Sequence, residues 1–366
     1  MTINLPSIQP DPNFEGRLLR VLVRQQEPDR VPFIELFADS EIIEAVLGEP
    51  VPWVHSNVRE EREALLPHLV QFWYTLGYDA FWIGARLALP MPKLASLDTA
   101  LLPRERREWV NERASAITCW ADFDRYPWPR PADADYGDFE FLAHELPDGM
   151  AILGAVPGVL EPAMQLMGYQ TFALALYDQP DLVAAVFDRL AEIIVPLAEA
   201  TAQMDRVGAI WMGDDLAFRT STMISIKHLQ QYVFPIQKCI GTIAHNHGLP
   251  FILHSCGNRS AIMDILIEEI GIDGIHSFED AIEPVIEAKS RYGDRIAILG
   301  GVDVDFLCRA DERQIRAYVR RIVAECASGG GYALGTGNSV TNYIPVQNYL
   351  TMLDEGYRCG RYPIAT

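Results

Sequence analysis

No stretch of the chain approaches the roughly 20 consecutive apolar residues that a membrane-crossing helix needs. The opening segment, MTINLPSIQPDPNFEG, is polar and lacks the apolar core of a secretory signal. A cytoplasmic protein with no membrane partner is the expectation. Cysteine is sparse, six in 366 residues, and no two form a CxxC pair. A disulfide framework and a CxxC-type metal ribbon are therefore not expected, and the thiols are read as reduced. Basic residues are outnumbered, 30 against 50 acids, for a net charge of −20. Such a field repels phosphate backbones and anionic lipid, which speaks against nucleic acid as a partner and for a small-molecule substrate. A GxGxxG turn is missing after the first strand-like run, which counts against a dinucleotide-binding sheet.

What the sequence does contain is a rhythm. Eight short apolar runs recur: VPFIELFA (31–38), YDAFWIGA (78–85), MAILGAVPG (150–158), VGAIWMGDD (207–215), LPFILHSCG (249–257), IDGIHSFED (272–280), RIAILGGVD (295–303) and GGYALGTGN (330–338). Their apolar cores are continuous rather than alternating, as in strands buried on both faces. Between them lie segments with apolar residues at three- and four-residue spacing, the mark of amphipathic helices. Strand–helix alternation predicts a parallel sheet, and eight units predict closure into an α/β fold of the (β/α)8 TIM-barrel type, a single domain over 1–366. The interval 86–148 interrupts the rhythm between the second and third strands. It is polar, Pro-rich and aromatic. A hairpin is expected at 107–120 and an irregular loop at 126–141. An insertion of this length after a barrel strand predicts a lid over the C-terminal face.

Barrel enzymes gather their chemistry where the strands end. The ends here carry Glu35 and Asp39, Asp214 and Asp215, His254, Cys256 and Asn258, His276 and Glu279, Asp303, and Thr336, Asn338 and Ser339. His254-Ser255-Cys256 is the sharpest element, because residues i and i+2 of a strand share a face. An imidazole and a thiol would then point together into the barrel mouth, a pair that suits zinc. The alternative is a structural Cys beside a hydrogen-bonded His. Asp214 and Asp215 are candidates for acid–base work or substrate positioning, against a helix-capping role or an ion pair with Arg219. Glu279 is a candidate oxygen ligand or general base, or else a cap. Asn338 is counted with the catalytic candidates, and His276 is read as a core histidine. In GTGNSVTNYIP (335–345), Gly335, Gly337 and Ser339 are candidates for holding an anion or cofactor through backbone N–H groups. The alternative is a tight turn that needs glycine for conformation alone.

LPFILHSCGN, GIDGIHSFE, the GGVD strand and the final GTGNS pattern together resemble the uroporphyrinogen decarboxylase superfamily, over nearly the whole chain from RVPFIELF onward. That group also includes cobalamin-dependent methyltransferases. The resemblance implies a TIM barrel and one of two activities. True decarboxylases carry an arginine-rich loop after the first strand that grips a polyanionic substrate. Here that loop reads ELFADSEI, with acids in place of cations. The methyltransferase branch implies a zinc site from His254, Cys256 and a second Cys in the last turn, where Thr336 stands instead. A carboxylate, Glu279 or else Asp214 or Asp303, would have to complete the set. The branch further implies a corrinoid, borne by a partner protein because the chain has no D-x-H-x-x-G motif. A methyltransferase is the first expectation, with a homodimer as the expected assembly. A decarboxylase of a smaller carboxylated substrate and a non-catalytic binding barrel are the alternatives.

Overall fold

The computed structural model describes residues 3–364 except 55, 57, 103–106, 112 and 113. Its strands are β1 (Ala80–Gly84), β2 (Lys93–Ser96), β3 (Arg107–Val110), β4 (Ala151–Pro157), β5 (Val207–Gly213), β6 (Phe251–His254), β7 (Gly274–His276), β8 (Ala297–Leu299) and β9 (Tyr332–Ala333). Seven of them form one parallel sheet in the order β1-β4-β5-β6-β7-β8-β9, and β2 and β3 pair apart as an antiparallel hairpin. Sequential parallel neighbours linked by helical crossovers are what the strand–helix rhythm requires.

The first apolar run, 31–38, joins this sheet by parallel bridges at Phe33–Leu334 and Ala38–Val340. Ile34 donates to the Leu334 carbonyl at 2.9 Å, and Leu334 donates back to Pro32 at 2.9 Å. The run thus lies beside β9. Among the described residues, no backbone ladder joins it to β1 on its other side.

Alternation along the strands sorts residues into two cores. One face gathers Ala80, Leu153, Ala209, Trp211, Ile252, Leu299 and Ala333 with Phe14, Leu18, Val21 and Leu22 from the N-terminal helical segment. The other face packs Ile152, Ile210, Met212, Phe251, Leu253, Ile275 and Ile298 against the helices. Both faces are apolar, so the runs read as continuous rather than alternating. The same parity carries past the strand ends. His254 falls in step with Ile252 and Trp211 on the first face, and Asp214 falls in step with Met212 on the helix side.

The hairpin expected at 107–120 is placed differently. Residues 107–110 form its second arm, and the first arm is Lys93–Ser96. The stretch 126–141 is loop only in part, since a helix runs Gly137–Glu145. No helix among the described residues is long and apolar enough to cross a membrane.

Candidate active site at the strand ends

In the register of the parallel sheet, His254 at the end of β6 lies opposite His276 at the end of β7. Both side chains leave the sheet on its inner face, and their rings meet with Nδ1 atoms 2.7 Å apart. The chain then turns, and Cys256 brings its Sγ to 3.6 Å from His254 Nε2. Asp215, just past the end of β5, completes the group. Its Oδ1 accepts from the Cys256 N–H at 2.7 Å and sits 4.0 Å from His254 Nε2. The ligand atoms of Asp215, His254 and Cys256 all lie within 4.8 Å of one another.

A tetrahedral zinc with bonds of 2.0–2.3 Å needs donors about 3.3–3.8 Å apart. The separations of 3.6 and 4.0 Å around His254 Nε2 meet that with little movement. Three protein donors, one each of nitrogen, sulfur and oxygen, match the ligand count of a catalytic rather than a structural zinc site. Burial and the neighbouring Asp215 push the Cys256 thiol up to about 12. Burial, with Arg259 nearby, drives His254 down to about 3, so its ring is neutral. A neutral imidazole is the form that binds metal, and a bound cation would reverse the thiol's preference for its proton.

Asn338 donates its Nδ2 hydrogen to Cys256 Sγ at 3.2 Å, so the last strand's turn reaches the same group. Thr336 does not reach it. Its hydroxyl and its N–H both bind the Glu35 carboxyl, the N–H at 2.9 Å. Glu35 is fully buried and also receives the Tyr78 hydroxyl at 3.5 Å. Burial raises its carboxyl to about 8, so it is a neutral acid at physiological pH.

Several residues singled out in the sequence stand elsewhere or do other work. Asp214 is fully buried on the helix side. Its carboxylate accepts from the N–H groups of Val159, Leu160 and Glu161 at 3.0–3.2 Å and from Gln237 Nε2 at 2.9 Å. It anchors the start of the helix Leu160–Met167 and has no free lone pair for acid–base work. Strand parity is the reason: it is the immediate neighbour of Asp215, so the two face opposite ways. Glu279 is exposed and lies outside the three-donor group, so the carboxylate placed beside His254 and Cys256 is Asp215 instead. Asp303 caps the helix Val304–Arg309 by accepting from Phe306 N–H at 2.8 Å.

Gly335 and Gly337 answer to backbone packing. A Cβ on Gly335 would come 1.8 Å from the Ile34 carbonyl oxygen, and one on Gly337 would come 2.0 Å from that of Phe278. The Gly337 N–H is spent on Val302 at 2.7 Å, and the Thr336 N–H on Glu35. The carboxyl that this turn holds is therefore the chain's own. Ser339 is buried next to it. Sequence reasoning missed the partnership of His276 with His254. Its signal was available, because both histidines end adjacent strands at matching positions.

A cavity of about 530 Å³ opens beside Asp215, lined also by Glu161, Met164, Tyr169, Phe218, Met223 and Ser115 from the 86–148 segment. Among the described residues, its wall carries two acids and no Lys or Arg. A second cavity of about 280 Å³ at the ends of the first run and β1 includes Arg62 and Arg86. Both arginines are already matched by acids. Arg62 binds Asp138, and Arg86 pairs with Asp135 and, at 3.6 Å, with Asp138.

A parallel α/β sheet with a metal-competent His/Cys/Asp group at its C-terminal rim defines the class. The family follows from direct comparison. The family model described as uroporphyrinogen decarboxylase (URO-D) matches residues 114–358, and the chain belongs to that family. A uroporphyrinogen decarboxylase of Alkalilimnicola ehrlichii is 24% identical over 279 residues, 73% of either chain. That of Cellvibrio japonicus is 27% identical over 175 residues, 45% of either chain. Among solved structures, a methyltransferase from Methanosarcina mazei superposes with a TM-score of 0.71 at 18% identity, covering 95% of this chain and 99% of that one. The last likeness establishes the fold.

Proposed function

We propose that this chain is a methyltransferase that moves a methyl group between a corrinoid on a partner protein and a small acceptor or donor, with zinc at Asp215, His254 and Cys256. The observation that carries this is the convergence of three chemically distinct donors at the ends of β5 and β6, their ligand atoms within 4.8 Å of one another. Zinc bound there would act as a Lewis acid that favours the anionic form of a substrate thiol or hydroxyl. The chain's own residues set the stage. His254 offers a neutral Nε2. The Asn338 amide N–H supports charge on Cys256 Sγ. Asp215 orients the Cys256 main chain while presenting its carboxylate to the cavity. The name of the Methanosarcina mazei neighbour agrees with this choice.

The wider frame is one barrel domain over 1–366, closed between the first run and β1, with 86–148 as a lid. Leu102 N–H and the Asn342 carbonyl meet at 3.3 Å, and Ala116 and Ile117 donate to Leu166, so this segment is bonded both to the chain after β9 and to the helix after β4. The curated relatives point to the other reading, decarboxylation of a porphyrinogen. A polyanion needs unmatched cations. The acids that occupy Arg62 and Arg86, and the acidic wall beside Asp215, weigh against it.

The test is zinc stoichiometry of the purified protein after dialysis, followed by methyl transfer from methylcobalamin to a panel of thiols, alongside decarboxylation of a porphyrinogen. Near-stoichiometric zinc with transfer to at least one thiol supports the proposal. Porphyrinogen turnover without methyl transfer overturns it.

A further inference from the structure

Resting on the metal reading above, we infer that His276 is a positioning residue that holds His254 in the tautomer whose Nε2 lone pair faces Cys256 and Asp215. A neutral imidazole has one donor nitrogen and one acceptor nitrogen. The Nδ1-to-Nδ1 contact of 2.7 Å therefore needs one ring to donate and the other to accept. If His276 donated, the His254 proton would sit on Nε2, between the very atoms that would share a metal. If His254 donates, its Nε2 is bare and aimed at Sγ, 3.6 Å away.

The surroundings of His276 select the second arrangement. Its Nε2 meets no partner in hydrogen-bond geometry, but the Thr336 carbonyl oxygen lies close by: a Cβ on Gly300 would stand 2.4 Å from that oxygen and 2.9 Å from Nε2. An Nε2–H facing that carbonyl is attractive, whereas a lone pair there would be repelled. With Nε2 protonated, the neutral ring must accept at Nδ1, so His254 must donate. The ring is also fixed in place. Trp211 stands edge-on with ring centroids 5.5 Å apart, and Gly300 lies so close that a Cβ there would come 2.9 Å from Cδ2 and Nε2. A clamped acceptor behind a ligating histidine is the arrangement that sets ring orientation and ligand basicity at metal sites.

Two measurements test this. In the metal-free protein, ¹⁵N chemical shifts of His254 are expected to show a protonated Nδ1 and a bare Nε2. The reverse assignment overturns the inference. Zinc and cobalt(II) affinities of His276→Phe and His276→Asn form the second test, with the visible bands of the cobalt form as a signature of geometry. Phe fills the slot without an acceptor and is expected to weaken binding about 10–100-fold and shift the bands. Asn keeps an acceptor near the Nδ1 position and is expected to stay within a few-fold of wild type. A His276→Phe protein that binds as tightly as wild type with unchanged bands refutes the role. If that variant does not fold, the ¹⁵N assignment decides. Wild type that binds neither metal removes the zinc mechanism, while the tautomer is still judged by ¹⁵N.

Discussion

Glu35 offers a prediction whose size follows from its surroundings. The carboxyl is buried with Thr336, Tyr78 and, beyond Tyr78, the Tyr349 hydroxyl at 2.7 Å. Desolvation outweighs these hydrogen bonds and lifts it from the ordinary 4.5 to about 8. The folded state then holds a proton that the unfolded chain releases above pH 4.5. The associated stability is fully present below pH 4.5 and is lost as pH rises toward 8, because unfolding increasingly yields an ionised group. At about 1.36 kcal/mol per pH unit, the whole window is worth about 5 kcal/mol. Glu35→Gln keeps the shape and one accepting oxygen and cannot ionise. Denaturant unfolding of both proteins at pH 5.5 and 7.5 is the assay. The difference between them should move by about 2.7 kcal/mol in favour of the Gln variant at the higher pH. Taking the difference cancels every other titrating group. A gap that stays constant within about 0.5 kcal/mol would show that Glu35 is ionised in the fold at neutral pH, and would refute the assignment of a neutral acid.

Other outcomes are expected from the same geometry. Cys256→Ser and Asp215→Ala should each lower zinc retention at least about tenfold, read as metal per chain after dialysis, with thermal unfolding little changed. Asn338→Cys should tighten zinc and depress methyl transfer, since it sends a thiol toward the three-donor group; Thr336→Cys should do neither, because that side chain faces Glu35. Asp214→Ala should cost about 3 kcal/mol or more in denaturant unfolding, because it strands two buried N–H groups, the half-buried one of Glu161 and the Gln237 amide. An Asp214→Ala protein of wild-type stability would contradict its anchoring role.

Local sequence specifies the sheet. Continuous apolar runs separated by amphipathic segments leave little but parallel strands with helical crossovers, and each of β4 through β9 lies within one of those runs. It also determined that His254 and Cys256 share a neighbourhood, since two-residue spacing at a strand end is a local matter. Which carboxylate stands beside them is settled by the folded chain. Asp214 and Asp215 are equivalent as letters, yet strand parity sends one to a helix and the other to the cavity. Glu279 is near His276 in sequence but turns to solvent. The His254–His276 contact, the Glu35–Thr336 pair and the Asn338–Cys256 bond span 22, 301 and 82 residues. Such contacts depend on inter-strand register and on the turn at the end of the last strand, and neither is written in local periodicity, because register is fixed by the packing of whole faces against each other.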